Sequence, residues 1–248
     1  MKKADLFVEL LKDIVDFVDS YKFRRDKINF PKNKEGVYMY AYKERVVCIS
    51  KGCLALFKSK NYLEISILSR TALESLFYFL SLKNDKTFLK SFRCDHDIQK
   101  KKMFNELSCN PEVMTDLKFS KEDVDDCLLK IRQNIDKANI KDEINVQKSA
   151  KIAGLSSMYT SAFRLLSQVS HSKVKILENH FTYKNNRFTF TKIQDKNNAI
   201  MPLDVLVMVL LIMSFNFFDY ASISDKRIKD TLETFALRYK KISKIHIL

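Results

Sequence analysis

SSMYTSAFRLLSQVSHS, Ser156 to Ser172, has the pattern of an amphipathic helix, with no glycine or proline to break it. Met158, Ala162, Leu165 and Val169 recur at helical spacing and form the stripe predicted to be buried. Arg164 and His171 are nearly two full turns apart. They therefore share a face, about 20° apart in azimuth and roughly 10 Å apart along the axis. Ser167 and Gln168 project between them from the same side. A guanidinium holds a phosphate through two hydrogen bonds and stabilises developing negative charge. An imidazole near its ordinary pKa takes or gives a proton at cellular pH. The pair is thus a candidate site for phosphate chemistry, although the same spacing also arises in a helix that only packs.

Outward from this stretch the chain reads as helical. Its 248 residues include three glycines and three prolines. Glycine-rich phosphate loops, sandwiches and doubly wound sheets need more positive-φ positions than that. No linker, repeat or low-complexity tract divides the chain. The expectation is one all-α domain, a single helical bundle over 1–248 with a small β-hairpin before the last two helices. Within it, 1–36 is an N-terminal helix and basic connection, 37–220 the core, and 221–248 a basic C-terminal helix.

The N-terminal MKKADLFVELLKDIVDFV is expected to be an amphipathic helix and not a signal peptide, because Asp5, Glu9, Asp13 and Asp16 interrupt its apolar run. Helices are expected next at about Val37 to Ser59, Tyr62 to Leu82 and Asp85 to Leu107. Ser120 with Asp123 marks the capped start of another, and Gly154 ends a short one. Phe181 and Tyr183, then Phe188 and Phe190, alternate with polar residues about a Lys184–Arg187 turn, the hairpin signal. Pro202 opens a very apolar helix to about Tyr220. Its run from Val205 to Met213 is shorter than the ~20 residues a membrane span needs, so it is expected to be a core helix with no span. A basic amphipathic helix from about Asp225 to Ile245 completes the bundle.

Lysine plus arginine outnumber aspartate plus glutamate 44 to 30, a formal charge of +14. A surplus of that size favours association with polyanions, RNA or DNA being the ordinary candidates. It is spread over every segment, which also describes a solubilising surface. Five cysteines without a CxxC pair point away from a disulfide framework and toward the reducing cytoplasm. Cys94, Asp95, His96 and Asp97 are adjacent but point about 100° apart on a helix, so no metal is expected there. His96, His180 and His246 have no evident partner in sequence. No nucleophile elbow, HExxH or P-loop is present.

Arg70 and Glu74 stand at i, i+4 on an otherwise apolar helix, the spacing at which they meet. Buried charge needs a partner. They are read either as an internal ion pair that fixes register or as a second polar group lining the Arg164/His171 site.

SRTALESLFYFLSL and KSAKIAGLSSMYTSAFRLLSQVSHS, followed by a hairpin and an apolar helix, resemble a bacterial all-helical domain family of unknown function. The resemblance spans about Val37 to Tyr220 and rests on Arg70, Glu74, Phe163, Arg164, Ser167 and His171. The arrangement is also similar to the HEPN superfamily, whose hallmark is an arginine and a histidine a few residues apart; here they form Arg-x6-His. That resemblance implies a metal-independent endoribonuclease of a toxin–antitoxin or antiphage defence system, acting without cofactor. Arg164 and His171 would be catalytic, and Arg70, Glu74, Ser167 and Gln168 would bind substrate. It further implies a homodimer, with a cognate antitoxin or defence partner. The alternative within the same fold is a non-catalytic module that binds RNA, a nucleotide or another protein.

Overall fold

Helix starts along the chain are set by short polar side chains. Asn33 caps the second helix (Lys34–Lys58), its side chain accepting from the Gly36 amide at 2.8 Å. Ser120 and Asp123 form a reciprocal capping box at the head of the Lys121–Ala138 helix. Asp225 caps the last helix, Lys226–Ser243. These caps satisfy amides that the first turn leaves without partners. In this computed structural model the described residues are 2–20, 33–139, 144–170, 181–184, 187–190, 195–223 and 225–245.

The chain forms two compact units, one made of 1–84 with 150–248 and the other of 85–149. In the larger unit the first helix (Lys3–Ser20) buries Phe7, Leu10, Leu11, Ile14, Val15 and Val18. The third helix (Glu64–Asn84) packs against the second and against the core helix, Ile200–Tyr220. The core helix is buried on most of its circumference, with Leu203, Leu206, Val207, Val209 and Phe217 fully sequestered. Its Asp195-capped 3-10 lead-in carries Lys196, which pairs with Asp5 of the first helix. Arg238 of the last helix reaches Asp13 at 2.7 Å, so part of that helix's positive charge is spent internally.

In the smaller unit the Phe88–Ser108 helix packs against Lys121–Ala138 around Leu107, Val124 and Leu128, with Phe104 and Met114 leaning on them. Asp95, within the acidic and thiol run of the first of these helices, accepts from the Ile144 amide at 3.3 Å.

The fold class is all-α, and the expected β-hairpin insertion does not stand as a part of the architecture. Helices build both units. The extended residues 181–184 and 187–190 pair antiparallel, Phe181 opposite Phe190 and Tyr183 opposite Phe188. No third strand joins them among the described residues. Two paired strands of four residues add no sheet layer to the helices. The alternating aromatics report local pairing; they do not create a β layer.

The reading of the core helix from its length is also corrected. Glu64–Asn84 and Lys196–Tyr220 are both long and apolar enough to cross a membrane, and two thirds of each apolar window (67%) is buried against protein. What marks them as core is that packing, since their length does not exclude a span.

Candidate functional site around Arg164

Gly154, at φ +74°, turns the chain after the short Val146–Ile152 helix. A side chain there would be strained by the left-handed backbone itself, because the space about it is open. The next helix starts at Ser156–Met158, passes through a π turn at Tyr159–Phe163, and resumes as α from Arg164 to Ser170.

The π turn changes which residues are buried. Its wider turn delays every later side chain by about one residue, or about 100°, relative to a continuous α-helix. The predicted stripe therefore fails: Leu165 is 53% exposed, while Phe163 and Leu166 are buried. Met158, Ala162 and Val169 are half-buried. Tyr159 stacks on Phe163 across the turn, with ring centroids 5.3 Å apart, and Phe163 also meets Phe77 of the third helix at 6.0 Å.

The candidate residues divide into two groups. Arg70, Glu74 and Ser167 come together. The Arg70 Nε donates to the Ser167 Oγ at 2.8 Å, and its guanidinium lies 4.6 Å from the centre of the Phe163 ring. A terminal guanidinium nitrogen is 3.9 Å from Glu74 Oε2, and the Tyr78 hydroxyl donates to Oε1 at 3.3 Å. The Ser167 hydroxyl gives its own proton to the Phe163 carbonyl at 2.7 Å. Tyr42 stands beside Tyr78, and burial pushes its hydroxyl pKa well above the ordinary range. Arg70 thus joins the third helix to the turn after the π segment. Its ion pair is about a quarter exposed at each end and contributes roughly 0–1 kcal/mol. The ring contact and the hydrogen bond each add about as much again.

Arg164 and Gln168 lie elsewhere, on the wall of an open groove of about 700 Å³. Both are exposed, and among the described residues no hydrogen bond or ion pair holds Arg164. The neighbouring hydroxyls of Thr160 and Ser161 donate to backbone carbonyls of Ser156 and Ser157, so their protons are already engaged. The core helix and the last helix contribute the rest of the lining: Met201, Asp204, Val205, Met208 and Tyr239. His171 lies outside the described residues, as do His180 and His246.

Asp204 and Tyr239 are groove residues that sequence reasoning missed. Burial pushes the Asp204 carboxyl above its usual range, opposed by a hydrogen bond from Tyr239 and by the charge of Lys3. Burial and the neighbouring carboxylate push the Tyr239 hydroxyl up as well. An aspartate in the first two turns of the most apolar helix was the available signal, because such a residue has to be given a partner. For a metal, no group of three carboxylate, thiol or imidazole ligands converges among the described residues.

Residues 44–188 match the sequence model of a family described as a family of unknown function, DUF5677. The match covers more than half of the chain, and the protein belongs to this family. No curated protein and no solved structure matches it. The expected membership in a helical family of unknown function is therefore shown. The matched span holds Arg70, Glu74, Arg164, Ser167, Gln168 and His171, and ends before Asp204 and Tyr239.

Proposed function

We propose that this protein is a HEPN-like, metal-independent endoribonuclease of a toxin–antitoxin or antiphage system, and that the Arg164 groove takes the RNA backbone. The observation that carries this reading is Arg164 itself: an exposed guanidinium on the wall of an open groove, not consumed by another described residue. The surplus of +14 supports a polyanionic partner, since net positive charge raises the local concentration of RNA. In the proposed reaction Arg164 holds the scissile phosphate and His171 accepts the proton of the 2′-hydroxyl. The 2′-oxygen–phosphorus bond forms as the bond to the 5′-oxygen breaks. The leaving oxygen takes a proton from solvent, and a cyclic phosphate remains. Two copies of the chain would bring two such motifs together, with an antitoxin or defence protein as partner. A cytoplasmic setting accords with five cysteines that are all free thiols.

One observation favours the second reading, a module that binds RNA or a nucleotide without cutting it. Arg70, Glu74 and Ser167 are engaged with one another and with Phe163, so these three serve packing in place of the groove. Incubation with total RNA in EDTA separates the two. Loss of intact RNA with the unaltered protein, and not with His171→Ala, supports the nuclease. A ligand-induced rise in melting temperature with RNA left intact supports the module.

A further inference from the structure

The groove has an acceptor as well as a donor. Asp204 of the core helix lines the same groove as Arg164, together with the apolar side chains of Met201, Val205 and Met208. The Tyr239 hydroxyl of the last helix lies near its carboxylate and favours the charged form. One carboxylate oxygen, Oδ1, is buried and has no hydrogen-bond partner among the described residues. Buried carboxylate oxygens are normally hydrogen-bonded, and an unpartnered one on a residue that lines a groove leaves capacity for a donor. Rotation about the last side-chain bond is broad for aspartate, so either oxygen can be presented. A carboxylate repels a second phosphate and accepts a hydroxyl. Along an RNA backbone every nucleotide offers such a hydroxyl, the ribose 2′-OH, the group that DNA lacks. Carboxylates hold ribose hydroxyls in the same way in dinucleotide sites. The volume is within the range of about 300–1,000 Å³ usual for small-ligand sites.

We propose that Asp204 is the specificity-determining residue of the groove, accepting the 2′-hydroxyl of the nucleotide next to the phosphate on Arg164, a different hydroxyl from the one His171 deprotonates, so that the groove prefers RNA to DNA. This rests on the RNA reading above and adds to it a residue beyond the matched family span. Tyr239 is then a positioning residue that fixes the carboxylate plane. Burial, which raises the carboxyl pKa, is relieved when a hydroxyl donor reaches the charged form.

The test is fluorescence anisotropy with single-stranded RNA and DNA of one sequence, in a His171→Ala background so that the RNA stays intact. The expected result is RNA bound at least about tenfold more tightly than DNA, the effect of one hydrogen bond to a charged group. Asp204→Ala brings RNA down to the DNA level and leaves DNA binding no weaker. Asp204→Leu, which keeps the side-chain volume on an apolar wall, does the same and guards against a folding defect in the alanine variant. A preference for RNA that survives in either folded variant overturns the assignment. Equal binding of RNA and DNA, both weakened by Arg164→Ala, overturns Asp204 alone and leaves the phosphate groove standing. Binding that ignores Arg164→Ala overturns both.

Discussion

Arg164 and Arg70 are the same residue type and do opposite work. Arg164 is exposed and not held by a described residue, so Arg164→Ala is expected to change stability by no more than about 0.5 kcal/mol. Arg70 touches Ser167, Phe163 and Glu74 together, and Arg70→Ala is expected to cost about 1–3 kcal/mol, read as a drop in melting temperature. Asp204 makes a prediction in pH. Its folded carboxyl binds a proton more tightly than the unfolded one, with Tyr239, Lys3 and the Arg164 wall as the groups about it. The neutral form's contribution to stability is therefore complete below the ordinary aspartate pKa and is lost as pH rises through the raised one. Asp204→Asn is expected to melt higher than the unaltered protein at neutral pH, and the gap closes as the solution is acidified. A gap that stays constant, or widens in acid, contradicts the burial argument. At this scale Arg70 with Glu74 was legible from i, i+4 spacing alone. Asp204 and Tyr239 were not, because their meeting depends on how the core helix and the last helix pack.

At the scale of the helix, the π turn at Tyr159–Phe163 decides where the chemistry points. With constant α spacing Leu165 belongs to the buried stripe and Phe163 does not; the structure reverses them. Composition carries no signature of a π turn, since Tyr159–Phe163 is a sequence that an ordinary helix accepts. Caps are different, because their chemistry is local. Ser120 with Asp123 and Gly154 were readable and are found where they were expected. Deleting Thr160, which faces solvent, should return the segment to α geometry and rotate the Arg164–Ser170 helix by about 100°. The expected outcome is loss of RNA binding in a protein whose circular dichroism stays helical. Leu166, at 1% exposure, anchors the same helix, and Leu166→Ala is expected to cost about 2–5 kcal/mol by thermal or urea melting.

For the whole molecule, scarcity of glycine and proline was enough to exclude sheet architectures, and the fold is all-α. The division into 1–84 with 150–248 and 85–149 is carried by packing, with no linker composition at the borders. The alternating aromatics near 181–190 give paired extended segments and no β layer. The charge of +14 makes a whole-molecule prediction. RNA affinity should fall steeply with salt, and Arg164→Ala should flatten the log–log slope by about 0.7, the share of one single-strand phosphate. A slope left unchanged would assign the binding to diffuse charge.

The measurement that decides most is the RNA-binding isotherm of Arg164→Ala set beside that of Arg70→Lys, both checked for unchanged secondary structure. A groove that takes the RNA backbone predicts at least about a tenfold loss for Arg164→Ala, the cost of a charge-assisted phosphate contact, and near-native binding for Arg70→Lys. Native affinity in Arg164→Ala would contradict it.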